Sequence, residues 1–552
     1  MRIISRVQKQ IYMLVFIVVF WSVTLAIPAP AAQAYSYSFQ QFPDNLVGIT
    51  KPAITLLFDT DMKRSPTHFS MSLNGENVQA VYDNKKGTFE YTPDQDLLPG
   101  TYTVRMSISY SGYQPIEHSW TFTVAADAYK QFPAPGTEQI KGLAVINDYR
   151  EIHQLPSLNL NDQLNAIASA HAKYLDRNKV GQGKGSEANL HLEEKGKPEF
   201  VGATPGERSV YYGFLSSIGE DAAYLKGGSI TEAIDALFDA PYHRTPFLDP
   251  ATEEIGIAKA GDYTIIEFGL KSGKSTQLVV SPAAGDRYVP TSFYGHETPD
   301  PIRMYPQADY PIGYPMMANY TGQDIETVKL LKSELTNTRT NQPVKVLAND
   351  PVNDDSLTAS VIMMPIEPLQ LDTSYHAKLW LQVVKKDGTS QEDIKEWDFT
   401  TEPVEGLGKA ILHQHAERYK KSIGTGGTVQ RVASFGLEAA SYQVDGVDFP
   451  MKRQPEMVDG SSFLYVRDLA AALGAQVEWD EQQRAAVYTK GSLKVTLFTE
   501  QDQYAMNGER RSTTTPARLI GENTMVPVRL LAEVLGAKVD YDDATRIVKL
   551  TY

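Results

Sequence analysis

Residues 240–258 read APYHRTPFLDPATEEIGIA, and this stretch decides how the middle of the chain is interpreted. A histidine and an arginine follow a proline at its start, and two adjacent glutamates precede Ile-Gly-Ile near its end. Three interpretations are open for these groups: a metal site, an acid/base pair, or ordinary packing. Because alternate residues of a strand face opposite sides, inward-facing Ile255 and Ile257 would turn Glu254 the other way. That orientation suits the wall of a cleft.

Helical and strand-like patterns surround this stretch. Apolar positions recur at helical spacing over 138–177 and again over 230–240. Two strand-like segments follow, IGIAKA at 255–260 and YTIIEFGL at 263–270. Helices followed by strands predict an α/β domain with a core of its own.

Four short blocks carry a more specific pattern. In chain order they are INDYREIHQLPSLNLNDQLNAIASAHAKYL at 146–175, NLH at 189–191 followed by GATPGER at 202–208, SIGEDAAY at 217–224, and the opening stretch. Together they resemble a bacterial CAP domain, also called an SCP domain. This domain is shared by cysteine-rich secretory proteins, antigen 5 and plant pathogenesis-related proteins. The resemblance implies an α-β-α sandwich CAP domain over 134–275.

The resemblance also implies a cleft lined by two histidines and two glutamates. Matched residue by residue, these are His191, Glu220, His243 and Glu254. Two imidazoles and two carboxylates can hold a divalent cation, with Zn²⁺ favoured and Mn²⁺ also plausible. A His–Glu pair can instead act as an acid/base couple, for which Glu220 and His243 are the catalytic candidates. The chain departs from the family pattern at Asp221, where Asn is usual.

Three other polar residues near these blocks are interpreted as structural. Arg150 and Arg208 could pair with carboxylates or cap carbonyls near the cleft, and His171 lies between two alanines on a predicted helix. No G-x-S-x-G, H-E-x-x-H or Walker-type motif occurs. The chain has no cysteine, which excludes thiol proteases and thiolate zinc sites.

Two segments that flank the middle region look like copies of one another. LLPGTYTVRMSISY followed by HSWTFTV resembles LQLDTSYHAKLWLQVV followed by KEWDFTT. Tyr102 and Trp120 of the first segment correspond to Tyr375 and Trp397 of the second. Alternation with period two and turn residues between the runs predict antiparallel sheets. Both segments resemble bacterial Ig-like modules, which predicts all-β sandwiches over 35–125 and 280–403.

The tail contains an internal repeat, in which 463–489 aligns with 525–551. Each copy reads as a strand, a short amphipathic helix closed by Gly, and two further strands. The repeat resembles the copper amine oxidase N-terminal-like module of exported Gram-positive proteins. This resemblance implies a C-terminal α+β tandem-repeat domain over 436–552, after a linker over 404–435. Copper is not expected, because no histidine follows His415 and the chain has no cysteine.

Charge and the N-terminus indicate an exported protein. The 552 residues carry a net charge of −15, which disfavours a nucleic-acid partner. Three basic residues precede an uncharged apolar run that ends at Ile27, and small residues follow. This order predicts a signal peptide over 1–34. No other segment is long and apolar enough to span a bilayer, so no transmembrane span is expected in the mature chain.

Together these features predict a multidomain protein that is secreted and associated with the cell wall, with a wall polymer or an envelope protein as partner. Two functional hypotheses stay open. The cleft could bind a divalent cation and an envelope ligand, or it could hydrolyse envelope peptides or glycans, although no nucleophile is evident. Sterol or lipid transport, known in other branches of the family, is a third and would need an apolar groove.

Overall fold

The computed structural model describes residues 36–62, 64–182, 189–271, 276–322, 324–414 and 431–552. These residues form two compact units. The first contains Ala53–Asp94, Thr101–Phe122 and the described residues up to Asn45, and the second contains Leu46–Pro52, Gln95–Gly100 and Thr123–Tyr552. The predicted signal peptide lies outside the described residues, as does the part of the predicted linker that includes His415. No helix in the described ranges is long and apolar enough to cross a membrane.

Short strands make up the N-terminal region. They are β1 Tyr37–Phe42, β2 Leu46–Ile49, β3 Ile54–Thr60, β4 His68–Leu73, β5 Glu76–Val78, β6 Val81–Asp83, β7 Thr88–Tyr91, β8 Gly100–Ser109 and β9 Ile116–Tyr129. In the first unit one sheet has the order β1-β3-β7-β6, and another contains β9-β8-β4-β5. From Val104 onward every second residue of β8 is fully buried, namely Val104, Met106 and Ile108, as period-two patterning requires. The ring of Tyr102 stacks on that of Phe122 with centroids 5.5 Å apart.

The region of the four sequence blocks combines helices with one small sheet. Its elements are α1 Thr137–Ile152, β10 Asn159–Leu160, α2 Asp162–Asn178, α3 Pro205–Tyr211, β11 Ser217–Tyr224, α4 Ile230–Asp239, α5 Pro241–Phe247, β12 Thr252–Ala260 and β13 Tyr263–Leu270. The strand order is β10-β12-β13-β11, so β11 is an edge strand. Asn161 caps α2 by accepting hydrogen bonds from two backbone N–H groups of its first turn.

Helices cover both faces of this sheet. On one face α2 lies so close that a Cβ added to Gly256 would be 2.0 Å from the carbonyl carbon of Leu164. On the other face Gly142 of α1 packs against Ile234 of α4 and Ile257 of β12. Since Ile257 faces α1 and α4, the alternate positions of β12 face α2.

A second set of strands follows the helical region. It comprises β14 Gln277–Ser281, β15 Ser292–Phe293, β16 Ile312–Gly313, β17 Met316–Thr321, β18 Ile325–Asn337, β19 Gln342–Pro343, β20 Val346–Asn349, β21 Ser360–Pro365, β22 Ser374–Lys385 and β23 Ser390–Thr400. The two main sheets have the orders β14-β17-β21-β20 and β19-β18-β22-β23, and β15 pairs with β16. Tyr375 stacks on Phe399 with centroids 5.7 Å apart. The two segments that look alike in sequence therefore contain the same Tyr-on-Phe stack.

The tail contains the remaining elements. They are α6 Leu407–Gln414, β24 Val432–Gly436, β25 Ser441–Val444, β26 Val447–Pro450, β27 Glu456–Val458, β28 Ser461–Tyr465, α7 Val466–Ala472, β29 Gln476–Asp480, β30 Ala485–Lys490, β31 Leu493–Phe498, β32 Gln503–Met506, β33 Glu509–Ser512, β34 Arg518–Ile520, β35 Asn523–Pro527, α8 Val528–Val534, β36 Lys538–Asp542 and β37 Ile547–Thr551. The sheets have the orders β26-β25-β24-β37-β36, β27-β28-β35-β34 and β29-β30-β31-β32-β33. The first strand, β24, begins inside the range predicted as linker, because it pairs with β37.

Both sequence repeats of the tail have the same order of elements. The first runs β28-α7-β29-β30 and the second β35-α8-β36-β37, with β28 and β35 paired antiparallel. Gly474 (φ +65°) and Gly536 (φ +90°) follow the two helices in the left-handed region that a residue with a Cβ rarely adopts. The glycines that the sequence places at the helix ends are there for this reason.

Candidate functional site

The candidate site is organised by the edge strand β11. Glu220 and Asp221 are neighbours on this strand, so their side chains face opposite sides of the sheet. The Glu220 carboxylate meets Arg208 of α3 and lies on the side covered by α2. The Asp221 carboxyl is directed toward the layer that contains α5, and its charge interacts most strongly with His243. One strand therefore supplies a carboxyl group to each face.

On the α2 side, Glu220 is clamped by two cationic or polar partners. Nη2 of Arg208 donates to Oε2 of Glu220 at 2.5 Å, and Nδ1 of His191 lies 2.9 Å from Oε1. The side chain of Arg208 is fully buried, and that of Glu220 is 1 % exposed. Arg208 also donates to the backbone carbonyl groups of His191 and Gly202. It therefore fixes both the carboxylate and the loop that carries the imidazole, in agreement with its predicted structural role.

These contacts decide the charge of Glu220. Burial alone would raise its pKa, but the hydrogen bond from His191 and the charges of Arg208 and His171 outweigh burial and lower the pKa to about 2. Glu220 is therefore an ionised, immobilised anchor at neutral pH. A carboxylate with this pKa is a weak base and is not protonated to act as an acid.

His171, which the sequence assigns to a structural role, lies beneath the same loop. Its Nδ1 is 2.9 Å from Oε1 of Glu193, and its Nε2 donates to the carbonyl oxygen of Leu190 at 2.7 Å. Glu193 in turn accepts hydrogen bonds from the backbone N–H groups of Val201 and Gly202. Because Leu190 directly precedes His191, this fully buried imidazole helps to position the exposed one.

A second buried carboxyl group lies beside Glu220 on the neighbouring strand. Glu267 of β13 is the register partner of Glu220 and is fully buried. Burial and the facing negative charge of Glu220 raise the pKa of Glu267 well above its ordinary value, which favours the protonated carboxyl group. A side-chain hydrogen bond to Glu220 raises the pKa of Glu267 further. No sequence block marks Glu267, and only strand pairing reveals it.

His243 of α5 pairs with a residue that the sequence does not indicate. Nδ1 of His243 lies 2.9 Å from Oε1 of Glu297, whose side chain is fully buried. The same oxygen accepts hydrogen bonds from the backbone N–H groups of Tyr242 and His243, at 2.7 and 3.1 Å. Glu297 belongs to the region predicted as the second β-sandwich, and no motif around it marks a site.

Two carboxyl groups determine the protonation of His243. Burial alone would lower its pKa, but the hydrogen bond to Glu297 and the negative charges of Asp221 and Glu297 outweigh burial and raise it. Burial raises the pKa of Asp221 to about 7, although the positive charges of His243 and then His191 oppose this rise. Both imidazoles therefore act on one buried carboxyl group, which places them around the same strand.

Buried arginines hold α5 in place. Arg244, directly after His243, is fully buried and donates to the carbonyl oxygens of Phe238, Asp239 and Pro315. Arg150 donates to the carbonyl oxygens of Pro156, Phe247 and Asp249. Both guanidinium groups therefore satisfy carbonyls at helix and loop ends, which is the structural role predicted for Arg150.

The structure does not place Glu254 with the other three predicted site residues. Ile255 and Ile257 are fully buried, so Glu254 faces the α2 side as predicted. Its carboxylate is exposed, however, and accepts a hydrogen bond from Nδ2 of Asn161 at 3.2 Å. Strand β12 lies two strands away from β11 in the sheet, a separation of about 10 Å at the usual strand spacing. Its neighbour Glu253 pairs with Lys271.

The described residues do not form a complete ligand set for the predicted metal ion. Within the residues that the structure describes, no three His, Asp or Glu side chains are grouped as ligands of one metal ion. The two imidazoles nevertheless share one feature, because each contacts a buried carboxylate through Nδ1. Metal-binding histidines characteristically have such a carboxylate behind the ring, with the other nitrogen directed to the ion. In the described chain, Nε2 of His191 and of His243 has no hydrogen-bond partner.

Comparisons with known proteins agree with the assignments of the middle region and the tail. Residues 143–267 match the model of the cysteine-rich secretory protein family, and residues 443–550 match the model of the copper amine oxidase N-terminal domain. A protease inhibitor from Brevibacillus choshinensis is 34 % identical over 84 residues, which are 15 % of this chain and 26 % of that protein. The chain thus spans about a quarter of the length of that relative.

Similar solved structures include two proteins with the same type of domain. An extracellular protein with an SCP domain from Bacillus anthracis is 13 % identical and covers 40 % of this chain and 78 % of its own, with a TM-score of 0.21. A cysteine-rich secretory protein from Staphylococcus aureus is 12 % identical and covers 43 % and 83 %, with a TM-score of 0.18. CopC from Methylosinus trichosporium is 20 % identical and covers 16 % and 94 %, with a TM-score of 0.14. The chain therefore contains a CAP domain of the cysteine-rich secretory protein family at 143–267 and a copper amine oxidase N-terminal domain at 443–550.

Proposed function

We propose that this chain is a secreted, cell-wall-associated protein whose cleft binds a divalent cation through Nε2 of His191 and Nε2 of His243. The observation that carries the proposal is the matched geometry of the two imidazoles. Each has its Nδ1 against a buried carboxylate at 2.9 Å, and both lie around the buried Asp221. A carboxylate behind a histidine ring orients the ring and makes its free nitrogen a better donor to a metal.

Zn²⁺ is the cation that best suits this donor set. Imidazole nitrogen is a common zinc ligand, and a site with few protein ligands leaves coordination positions for water or for a bound molecule. An envelope peptide or glycan could occupy those positions. The two imidazoles would hold the ion, and the chain's own carboxylates would keep the rings in place.

Export and wall association are supported by features outside the cleft. The sequence predicts a signal peptide over 1–34, and the chain has no cysteine that an oxidising compartment would affect. The repeat domain of the tail is proposed as the attachment or interaction module, with a wall polymer or an envelope protein as its partner. Mass spectrometry of the secreted form, with an N-terminus near Tyr35, tests the predicted cleavage.

Isothermal titration of residues 35–552 with Zn²⁺ tests the cation site. We expect a single site in the parent protein and an affinity loss of at least about tenfold in both His191→Ala and His243→Ala. His376→Ala is the matched control, because His376 also contacts a carboxylate through Nδ1 and its side chain is 37 % exposed, as is that of His191. An affinity in both His191→Ala and His243→Ala that equals that of the parent would remove the proposal.

A second function is favoured by one observation, the buried acid at Asp221. A carboxyl group with a pKa of about 7 beside an imidazole could exchange protons with a substrate near neutral pH. This supports the hypothesis of a hydrolase of envelope peptides or glycans. Incubation with peptidoglycan and with casein, with and without a chelator, separates the two functions. Product that disappears in Asp221→Asn but persists in His376→Ala would favour the enzyme.

A further inference from the structure

We infer that Glu297 is the positioning residue for His243, so that the candidate site is completed by a residue outside the CAP domain. The match to the CAP family ends at residue 267, and Glu297 follows it by thirty positions. The orientation of His243 is thus set by the region that contains the second set of sheets. The consequence for cation binding rests on the proposed function, but the positioning role itself does not.

A single oxygen atom of Glu297 holds both the backbone and the ring of His243. Oε1 accepts the backbone N–H groups of Tyr242 and His243 at 2.7 and 3.1 Å, and it lies 2.9 Å from Nδ1 of His243. A carboxylate can only accept, so Nδ1 carries the proton, and in the neutral ring Nε2 is left with its lone pair. The contact therefore selects one tautomer of the ring as well as its direction.

Glu297 is itself held firmly against α5. Its side chain has no exposed surface, and its second oxygen has no hydrogen-bond partner among the described residues. Nearby, Arg303 donates to the hydroxyl oxygen of Tyr242 at 2.7 Å, and both side chains contact Asp354. Asn349 donates to the carbonyl oxygen of Pro301 at 2.8 Å. These contacts tie the segment of Glu297 to α5 independently of His243.

The same contacts provide a matched control. Tyr242→Phe removes the hydroxyl that contacts Asp354 and Arg303, yet it leaves the backbone N–H group and the Glu297–His243 pair unchanged. Glu297→Gln retains a side-chain oxygen that can accept from Nδ1, whereas Glu297→Ala removes it. If Glu297 only helped to hold its segment against α5, Tyr242→Phe and Glu297→Ala would behave alike. A positioning role separates them.

The test is the tautomer of His243 in ¹⁵N-histidine NMR spectra of residues 35–552 without metal, assigned by the signal lost in His243→Ala. At a pH above the raised pKa of His243, where the ring is neutral, we expect protonated Nδ1 and unprotonated Nε2 in the parent, in Tyr242→Phe and in Glu297→Gln. In Glu297→Ala we expect the proton to move to Nε2, while the signals of His191 stay unchanged and report intact folding. An unchanged tautomer in Glu297→Ala, or the same change in Tyr242→Phe, would overturn the inference.

Zinc titration of the same variants tests the consequence for the site. Glu297→Ala should bind Zn²⁺ about 10- to 100-fold more weakly than the parent, and Tyr242→Phe should bind like the parent. If no variant binds Zn²⁺, including the parent, the proposed cation site fails, and the tautomer measurement alone decides the positioning role. The two failures are therefore distinguishable.

Discussion

The two imidazoles of the candidate site make the same local contact, but their carboxylate partners come from different regions of the chain. Nδ1 of His191 meets Glu220, and Nδ1 of His243 meets Glu297, both at 2.9 Å. Glu220 is anchored by Arg208 from within the CAP domain. Glu297 comes from beyond it. An imidazole can thus be oriented equally well by its own domain or by a neighbouring region of the chain.

The two adjacent carboxyl groups of β11, those of Glu220 and Asp221, also differ in their partners. The hydrogen bond from His191 and the buried guanidinium of Arg208 lower the pKa of Glu220 to about 2, whereas Asp221 has no guanidinium partner and burial raises its pKa to about 7. Burial is almost complete for both side chains. The difference therefore comes from the partners that each face of the strand supplies, and not from exposure.

The largest expected effect comes from removing the cation on the Glu220 side. Arg208→Ala leaves the buried Glu220 carboxylate without its guanidinium partner, so we expect a loss of about 3–5 kcal/mol in the free energy of unfolding. Denaturant unfolding followed by circular dichroism measures it. Lys141→Ala is the control, because Lys141 pairs with Glu138 on the surface, where such a pair contributes about 0–1 kcal/mol. Equal losses in the two variants would show that the buried pair has no special role.

A smaller, pH-dependent effect is expected on the Asp221 side. The native state binds the Asp221 proton more tightly than the unfolded state does, so its contribution to stability falls as the pH rises through about 7. At about 1.4 kcal/mol per pH unit, the loss between pH 5.5 and about pH 7 is about 2 kcal/mol, and it grows little further up to pH 8, where Asp221 is ionised in both states. Asp221→Asn removes this contribution, so its stability relative to the parent should increase by that amount over the same interval.

Unfolding free energies of both proteins at the two pH values provide the measurement. Asp540→Asn serves as the control, because that carboxylate lies at the surface with a side chain that is 56 % exposed. A relative stability of Asp221→Asn that is the same at both pH values would mean that Asp221 is ionised throughout. The contrast between the two neighbouring carboxyl groups would then be absent.

The smallest effect is expected at Glu254. Its carboxylate is exposed and contacts only Asn161 among the described residues, about two strand spacings from Glu220. Glu254→Ala should therefore leave the Zn²⁺ affinity within about twofold of the parent and lower stability by less than about 1 kcal/mol. Calorimetric titration beside His243→Ala checks this. An affinity loss as large as that of His243→Ala would show that Glu254 contributes to the cation site.

Sequence patterns predict the parts of the site that depend on local order. The four blocks identify His191, Glu220 and His243, and period-two alternation predicts the face of Glu254 correctly. Alternation says nothing about how many strands separate two residues on one face, and this is why Glu254 was expected nearer to the others. The glycines that end α7 and α8 are predictable for the same local reason, since the left-handed conformation is a property of one residue.

The remaining partners depend on pairing and packing that no local pattern encodes. Glu267 meets Glu220 only because β13 pairs with β11 in one particular register. Glu297 meets His243 across fifty-four positions, through packing of a loop on α5. A carboxylate in such a loop looks like any other surface acid in the sequence. Only its complete burial and its three N–H donors distinguish it.

The most direct test of the central claim is a crystal structure of residues 35–552 grown with Zn²⁺, with anomalous diffraction measured at the zinc absorption edge. We expect one strong peak within bonding distance, about 2.0–2.1 Å, of both Nε2 of His191 and Nε2 of His243. Nδ1 of each ring should keep its hydrogen bond to its carboxylate. A peak bound to only one of these imidazoles, or located elsewhere on the chain, would contradict the claim.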